Sequence, residues 1–169
     1  MAGGEPELNC RAFAKGAEVA LALKEVLDQL SLSSFVKTSG KTGLYIYVPV
    51  LRHYDFKSTR KTCELIGRVL MERNPRDVTM QWTIEKRVGK IFLDHNQNVR
   101  GKNMASIYSL RPLMGAPVST PLRCGELEDV YPIQFTIESV PDRIEKLGDL
   151  WSGILDAKHD LGRLLGVES

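Results

Sequence analysis

The segment KTSGKTG at positions 37–43 places two lysines and a serine in a polar turn with two glycines. Apolar, aromatic and β-branched residues flank the turn on both sides, so the pattern predicts the turn of a β-hairpin. The backbone N–H groups of such a turn, together with Lys37, Ser39 and Lys41, suit an anion such as a phosphate. An ordinary exposed hairpin is the alternative. A P-loop is not expected, because its first glycine would fall on Phe35 and a strand follows where the motif needs a helix.

Two further side chains able to do chemistry follow predicted strands. Asp94 ends the apolar run IFLD, and a carboxylate there can ligate Mg²⁺ or Mn²⁺, although a turn-forming role is the alternative. Arg111 in YSLRP can hold a phosphate with two hydrogen bonds, and a plain surface arginine is the alternative. The three histidines lack ligand spacing, and the three cysteines form no CxxC pair. A zinc site or a disulfide framework is therefore not expected.

The elements that must position these residues are a mixture of helices and strands. Hydrophobic periodicity predicts helices over 13–30, 58–73, 142–147 and 150–165. The second helix is expected to begin with Ser58 or Thr59 as N-cap and to stop at Asn74-Pro75. Besides the two hairpin strands, short strands are predicted near 78–80, 90–94 and 104–109, followed by loops over 111–121. This order is not a regular βαβα alternation, so we expect one α+β domain over residues 1–169 with a mostly antiparallel sheet.

Charge is distributed unevenly along the 169 residues, although the formal net charge is only +2. Between Ser34 and Arg111 there are fifteen lysines and arginines against six acids, whereas the two flanks together are acidic. A field of one sign concentrates polyanions, which predicts a surface for phosphates; solvated helix faces are the alternative. No apolar run approaches the roughly 20 residues needed to cross a bilayer, and no signal peptide is visible. We therefore expect a cytoplasmic protein without a membrane partner.

Taken in order, three segments resemble the polymerase domain of bacterial ligase D, a member of the archaeo-eukaryotic primase-polymerase superfamily. They are FVKTSGKTGLYIYVPV, GKIFLDHNQNVRGKNMASIYSLRPLMGAPVSTPL and FTIESVPDRIEKLGDLW. The resemblance covers about residues 7–151, and 152–169 are expected to form a C-terminal helix. It implies a primase-polymerase-like (RRM-like) α+β fold, in which helices flank a mostly antiparallel sheet.

The resemblance also implies an activity, namely two-metal nucleotidyl transfer to a DNA end in non-homologous end joining, with Mn²⁺ or Mg²⁺ as cofactor. Asp94 would be the third of three metal-binding aspartates. Ser39 and Arg111 would contact the incoming nucleoside triphosphate, with Lys37 and Lys41 nearby. A histidine of the family falls on Tyr45, whose hydroxyl donates one hydrogen bond but brings no positive charge.

The family's D-x-D strand would precede the segment that starts near Gly3, so this chain is expected to lack the N-terminal part of the family domain. The expected partners are a nucleoside triphosphate, DNA ends, a separately encoded N-terminal polymerase half, a DNA ligase and the Ku protein. Two other functions stay open. One is a non-catalytic nucleotide- or DNA-binding module, and the other is a subunit of a split polymerase that associates through an exposed sheet edge.

Overall fold

The computed structural model describes residues 6–166. Within this range the helices and strands are α1 Pro6–Gln29, β1 Phe35–Thr38, β2 Leu44–Tyr47, α2 Phe56–Arg73, β3 Val78–Thr79, β4 Ile91–Phe92, β5 Pro121–Leu122, α3 Ser139–Leu147 and α4 Gly162–Leu165. None of these helices is both long enough and apolar enough to span a bilayer. The elements confirm the predicted mixture of helices and short strands.

The predicted hairpin forms most of an antiparallel sheet with the strand order β2-β1-β5. Val36 of β1 lies opposite Ile46 of β2 and opposite Leu122 of β5. The strands β3 and β4 form a separate parallel pair, with Val78 opposite Ile91. The KTSGKTG turn and the segment that follows β4, which carry the predicted site residues, therefore belong to two different sheets.

Helix α1 joins the two sheets because apolar residues recur along it with helical spacing. Its Ala17 is buried with Val36 in a cluster under the three-stranded sheet, whereas its Leu27 is buried with Val78 under the β3–β4 pair. Ile46 packs against both clusters. One continuous apolar layer thus supports both sheets, and the predicted helix is confirmed, with a start earlier than Phe13.

Helix α2 begins earlier than predicted, and neither Ser58 nor Thr59 is its N-cap. The N-cap is Asp55, whose carboxylate accepts the backbone N–H of Ser58 at 2.7 Å. Asp55 is the stronger cap because its side chain reaches the orphan amide of the first turn from outside the helix. The helix ends at Arg73 with Asn74 as C-cap, as predicted.

Two predicted elements are wrong in the described part of the chain. Residues 104–109 form no strand, because Tyr108 adopts φ 59° in the left-handed region while its N–H donates to the Ser119 carbonyl at 2.7 Å. The helix predicted over 150–165 is limited to α4, because the chain around His159 pairs with residues 49–51 instead. Residues 167–169, the end of the predicted C-terminal helix, lie outside the described residues.

Candidate nucleotide site

The KTSGKTG turn is closed by its own serine. The Ser39 hydroxyl oxygen accepts the N–H of Gly43 at 3.0 Å and that of Lys41 at 3.2 Å. The backbone N–H of Ser39 in turn donates to the Gly43 carbonyl at 2.8 Å. Three amides that were expected to cradle an anion are therefore already satisfied inside the turn. The side-chain groups of Ser39 and Lys41 that a ligand can still use are the Ser39 hydroxyl proton and the ammonium of the exposed Lys41.

Gly40 allows Arg111 to lie directly against this turn. The φ angle of Gly40 is +68°, and a Cβ atom here would lie 2.6 Å from Arg111 Cγ and 3.0 Å from the backbone nitrogen of Ser119. Only glycine combines the left-handed conformation with so little space. The backbone N–H of Arg111 donates to the Pro117 carbonyl at 2.8 Å and fixes the arginine in this position. The structure thus brings together two parts of the predicted site that are far apart in sequence.

Lys37 is fully buried beneath the turn. Its ammonium donates to the Ala105 carbonyl at 2.7 Å and to the Ser119 hydroxyl at 2.5 Å. The Ser119 hydroxyl donates onward to the Thr38 carbonyl at 2.7 Å. Burial, and to a smaller extent the positive charge of Arg111, lowers the pKa of Lys37 from 10.5 to about 8. Lys37 and Arg111 are therefore two cations held close enough to repel each other.

Tyr45 covers Lys37 from the neighbouring strand. The strand register places the two residues opposite each other, and the Lys37 nitrogen lies 4.6 Å from the centre of the Tyr45 ring. Tyr47 shares this face of β2, with its ring centre 6.5 Å from that of Tyr45. An aromatic face next to an ammonium offsets part of the cost of burying the charge. Tyr45 therefore has a packing role, and a hydrogen bond from its hydroxyl to a phosphate stays a prediction.

The guanidinium of Arg111 has unused hydrogen-bonding capacity. Its Nε is buried and has no hydrogen-bond partner among residues 10–166. The ion pairs of that range do not include Arg111 either. A buried donor without an acceptor costs on the order of 1–3 kcal/mol. An anion bound at the terminal nitrogens of Arg111 would reduce the repulsion between Arg111 and Lys37.

Ala105 and Ser119, whose oxygen atoms hold the Lys37 ammonium, are not among the site residues predicted from the sequence. Ser119 and Thr120 are both buried, and they follow Val118 in the motif GAPVSTPL. Two hydroxyl side chains in a run flanked by apolar residues and proline were the available signal, since buried hydroxyl groups need partners. Nothing comparable marks Ala105, which contributes only its backbone carbonyl.

Asp94 lies outside this cluster, directly after β4. Its Oδ1 accepts the N–H of Asn96 at 2.9 Å and its Oδ2 accepts the Gln97 side-chain amide at 2.6 Å, so it caps the short 3₁₀ helix His95–Gln97. Leu93 packs into the apolar cluster, so Asp94, as the next residue, faces away from the core. No hydrogen bond or ion pair among the described side chains connects Asp94 with the KTSGKTG turn.

The described residues contain no group of three or more His, Cys, Asp or Glu side chains placed to hold a metal ion. Mg²⁺ prefers six oxygen ligands in near-octahedral geometry, and Mn²⁺ is likewise a hard, oxygen-binding cation. Asp94 offers a single carboxylate whose two oxygens already accept hydrogen bonds. The donor set of the described side chains, residues 10–166, therefore does not fit a complete Mg²⁺ or Mn²⁺ site, and Asp94 is at most one of its ligands.

These features define an α+β domain with a basic pocket at the turn of its central hairpin. Comparison with known proteins identifies its family, because the model of the LigD primase-polymerase domain matches residues 6–151. The chain belongs to this family, which confirms the resemblance found in the sequence.

Individual relatives agree with this assignment. The multifunctional non-homologous end joining protein LigD of Pseudomonas aeruginosa is 31% identical over 151 residues, which are 88% of this chain and 18% of that protein. The bifunctional non-homologous end joining protein LigD of Bacillus subtilis is 32% identical over 138 residues, 80% of this chain and 23% of that protein. The chain thus spans about a fifth of the length of these relatives.

A solved structure extends the comparison to the fold. The polymerase domain of Mycobacterium tuberculosis ligase D, in complex with DNA, superimposes with a TM-score of 0.79 at 31% sequence identity. The match covers 86% of this chain and 51% of that domain. The α+β fold predicted from the sequence is therefore the fold of this family.

Proposed function

We propose that this protein binds a nucleoside triphosphate at the hairpin pocket and takes part in nucleotidyl transfer to DNA ends in non-homologous end joining. The pocket consists of the KTSGKTG turn, the buried Lys37 with Tyr45 above it, and Arg111. In this proposal the Arg111 guanidinium and the Ser39 hydroxyl donate to the phosphates, and the exposed Lys41 adds a mobile positive charge. Lys37 acts from below by its charge and by holding Ser119 in place.

The observation that carries the proposal is the pair of neighbouring cations without an acidic partner. Burial and Arg111 are the two causes that lower the pKa of Lys37, and no carboxylate acts on it in the opposite direction. A structure retains such an unfavourable arrangement when a ligand of opposite charge uses it. A triphosphate has the required charge and several acceptor oxygens for the guanidinium of Arg111.

A divalent cation is part of the proposal only through Asp94. This residue would contribute one carboxylate to Mn²⁺ or Mg²⁺, the ions that support phosphoryl chemistry by polarising oxygens and neutralising charge. The proposed partners beyond the nucleotide are DNA ends, a separately encoded N-terminal polymerase half, a DNA ligase and Ku. The names of the relatives refer to non-homologous end joining, which supports DNA ends as a partner.

The decisive experiment measures ATP affinity by calorimetry for the wild type and for Arg111→Ala at two salt concentrations. A lost charged hydrogen bond is worth about 1.5–3 kcal/mol, so Arg111→Ala should weaken binding by at least about tenfold. The matched control is Arg76→Ala, which removes an exposed arginine in the turn after α2 and should leave the affinity unchanged. Equal ATP affinity in the wild type and in Arg111→Ala would contradict the site assignment.

A non-catalytic nucleotide- or DNA-binding module is the second candidate. The single carboxylate of Asp94, without a three-ligand group around it in the described residues, favours this candidate. A primer-extension assay with Mn²⁺ distinguishes the two, provided that ATP binding has been measured first. Extension that is lost in Asp94→Asn supports the enzyme, whereas ATP binding without extension, even when the proposed N-terminal half is added, supports the binding module.

A further inference from the structure

Trp82 is the most exposed tryptophan of the protein, with 62% of its surface accessible, although tryptophan is usually buried. It lies in the segment between β3 and β4, just before the 3₁₀ helix Ile84–Arg87. The second tryptophan of the chain, Trp151, is only 7% accessible. A large aromatic surface is therefore presented to solvent at a place distinct from the hairpin pocket.

The segment holds Trp82 in a defined orientation. The Arg87 guanidinium donates through Nε to the Gln81 carbonyl at 2.9 Å and through a second nitrogen to the Trp82 carbonyl. The same guanidinium lies 3.5 Å above the centre of the Phe92 ring. Phe92 in turn meets the indole at 6.0 Å in an edge-to-face arrangement. Trp82 is thus supported on one side by Phe92 and Arg87.

The surroundings of the indole are positively charged. The Lys102 ammonium lies 5.6 Å and the Arg87 guanidinium 5.8 Å from the centre of the indole ring. Between positions 82 and 102 the acids are Glu85 and Asp94, whereas the cations are Lys86, Arg87, Lys90, Arg100 and Lys102. A cationic ligand would be repelled here, and an anionic ligand with flat apolar groups would be attracted.

The exposed tryptophan also lies close to the segment that carries Asp94. Leu93 faces the core, so Phe92 and Asp94 both face outward, separated by two residues of extended chain, which is about 7 Å. Through Phe92, Trp82 therefore contacts the segment whose next outward-facing residue is Asp94.

We propose that Trp82 is a stacking platform for a base of single-stranded DNA, with Lys102 neutralising an adjacent phosphate. Stacking on an exposed aromatic ring combined with a basic border is the usual way in which proteins bind single strands without sequence preference. The inference rests on the proposed function, because it assigns a DNA contact to a chain proposed to act on DNA ends. It concerns a surface separate from the triphosphate pocket, so the two can be tested independently.

The test uses the full chain and a fluorescently labelled twelve-residue oligothymidylate at low salt, with no nucleotide present. Trp82→Ala should raise the Kd about tenfold or more, because the stacking contact is lost. Trp82→Phe keeps a smaller ring and should fall between that variant and the wild type. Ile84→Ala is the matched control, since Ile84 is 74% exposed on the same segment and should change the Kd less than twofold. Thermal melts check that each variant is folded.

Two further readouts separate stacking from a general charge effect. Oligothymidylate should quench tryptophan fluorescence in the wild type but hardly at all in Trp82→Phe, because the remaining Trp151 is buried. Lys102→Gln should lower the slope of log Kd against log salt by about 0.7, the value for one phosphate contact on a single strand.

Several outcomes would overturn the platform. They are no binding of the oligonucleotide by the wild type at low salt, an unchanged Kd in Trp82→Ala, or unchanged fluorescence on binding. Equally tight binding of poly-L-glutamate that does not depend on Trp82 would assign the surface to an acidic polypeptide instead. ATP affinity reports on the proposed function separately. Oligothymidylate binding that depends on Trp82, in a protein that does not bind ATP, supports only the stacking platform. ATP binding without Trp82-dependent oligothymidylate binding supports only the hairpin pocket.

Discussion

The hairpin pocket and the Asp94 corner both follow strands and both carry polar residues suited to a ligand, but they differ in how these residues are satisfied. At the hairpin, Lys37 is buried next to Arg111, and the Arg111 Nε has no partner among the described residues. At the corner, both Asp94 oxygens accept hydrogen bonds from residues two and three positions further along. The first arrangement is energetically costly without an anion, whereas the second is stable by itself.

This difference shows that residue type at a strand end is weak evidence for a ligand site. An aspartate followed by polar residues forms a local cap at little cost, and such caps are common in proteins without any ligand. A buried lysine next to a half-buried arginine, with no carboxylate between them, needs long-range contacts to hold it, and the repulsion between the two cations destabilises the fold. The hairpin pocket is therefore a stronger candidate for a ligand site than Asp94.

The largest expected effect is that of Lys37→Ala on stability. The change leaves a cavity in the sheet and removes both donors from the Ala105 carbonyl and the Ser119 hydroxyl, so the free energy of unfolding should fall by about 2–4 kcal/mol. Lys37→Met keeps most of the volume and should cost less. Urea unfolding of both variants measures the difference. A urea unfolding midpoint of Lys37→Ala equal to that of the wild type would mean that Lys37 does not organise the pocket.

Gly40→Ala should have the next largest effect. The added Cβ would meet Arg111 Cγ at 2.6 Å and the backbone nitrogen of Ser119 at 3.0 Å, in a conformation with φ +68°. We expect a loss of about 1–3 kcal/mol in stability together with weaker ATP binding, because Arg111 must move. The control is Gly43→Ala, where the added Cβ would meet only the Ser39 Oγ, at an ordinary 3.9 Å. Equal effects of the two variants would exclude a special role for Gly40.

The parts that were predictable from sequence are those with local causes. The hairpin follows from a glycine-containing polar turn between apolar strands, and α1 and α2 follow from their periodicity. The strand expected at 104–109 failed because the conformation of Tyr108 depends on Ser119, which a local pattern does not reveal. The helix expected after Trp151 failed for the same reason, since His159 pairs with residues near Pro49.

In the candidate site, too, some residues were predictable from the sequence and others were not. The motifs of the family pointed to Ser39 and Arg111, and the structure places them beside the same turn. The burial of Lys37 had no local signal, because a lysine in a strand is usually exposed, and its partners come from positions 105 and 119. Sequence reasoning thus identified the charged groups but not the network that holds one of them below the surface.

The pH dependence of stability tests the same pocket with a smaller effect. The pKa of Lys37 is lowered to about 8 in the folded protein, against 10.5 for an unperturbed lysine. Between these pH values the unfolded chain binds more protons than the folded one, so stability rises with pH. Lys37 raises the free energy of unfolding by at most about 1.4 kcal/mol per pH unit in this window. Below pH 8 Lys37 is protonated in both states, so it adds no pH dependence. Urea unfolding of the wild type and of Lys37→Met at pH 7.5, 8.5 and 9.5 measures this effect. The contributions of the other titrating groups cancel in the difference between the two proteins.

In this comparison the free energy of unfolding of the wild type should rise relative to that of Lys37→Met as pH increases. ATP affinity should fall over the same pH range, because the Lys37 ammonium loses its proton. In Arg111→Ala this rise in stability should begin at a higher pH, because the Arg111 charge is the second cause of the lowered Lys37 pKa. A constant difference between the two proteins from pH 7.5 to 9.5 would show that Lys37 titrates in its ordinary range.

Asp94→Asn should have the smallest effect on the fold. Asparagine is as good a cap as aspartate, so its side-chain oxygen can still accept the Asn96 N–H, and the melting temperature should stay within about 2 °C of the wild type. The metal response is the informative part. One carboxylate is a poor ligand set for an ion that prefers six oxygens, so electron paramagnetic resonance should detect only weak Mn²⁺ binding by the wild type. Asp94→Asn should abolish that weak binding, whereas Asp129→Asn, which changes an exposed carboxylate elsewhere, should not. Tight Mn²⁺ binding that survives Asp94→Asn would place the metal at other residues and would reduce Asp94 to the cap that its two hydrogen bonds already explain.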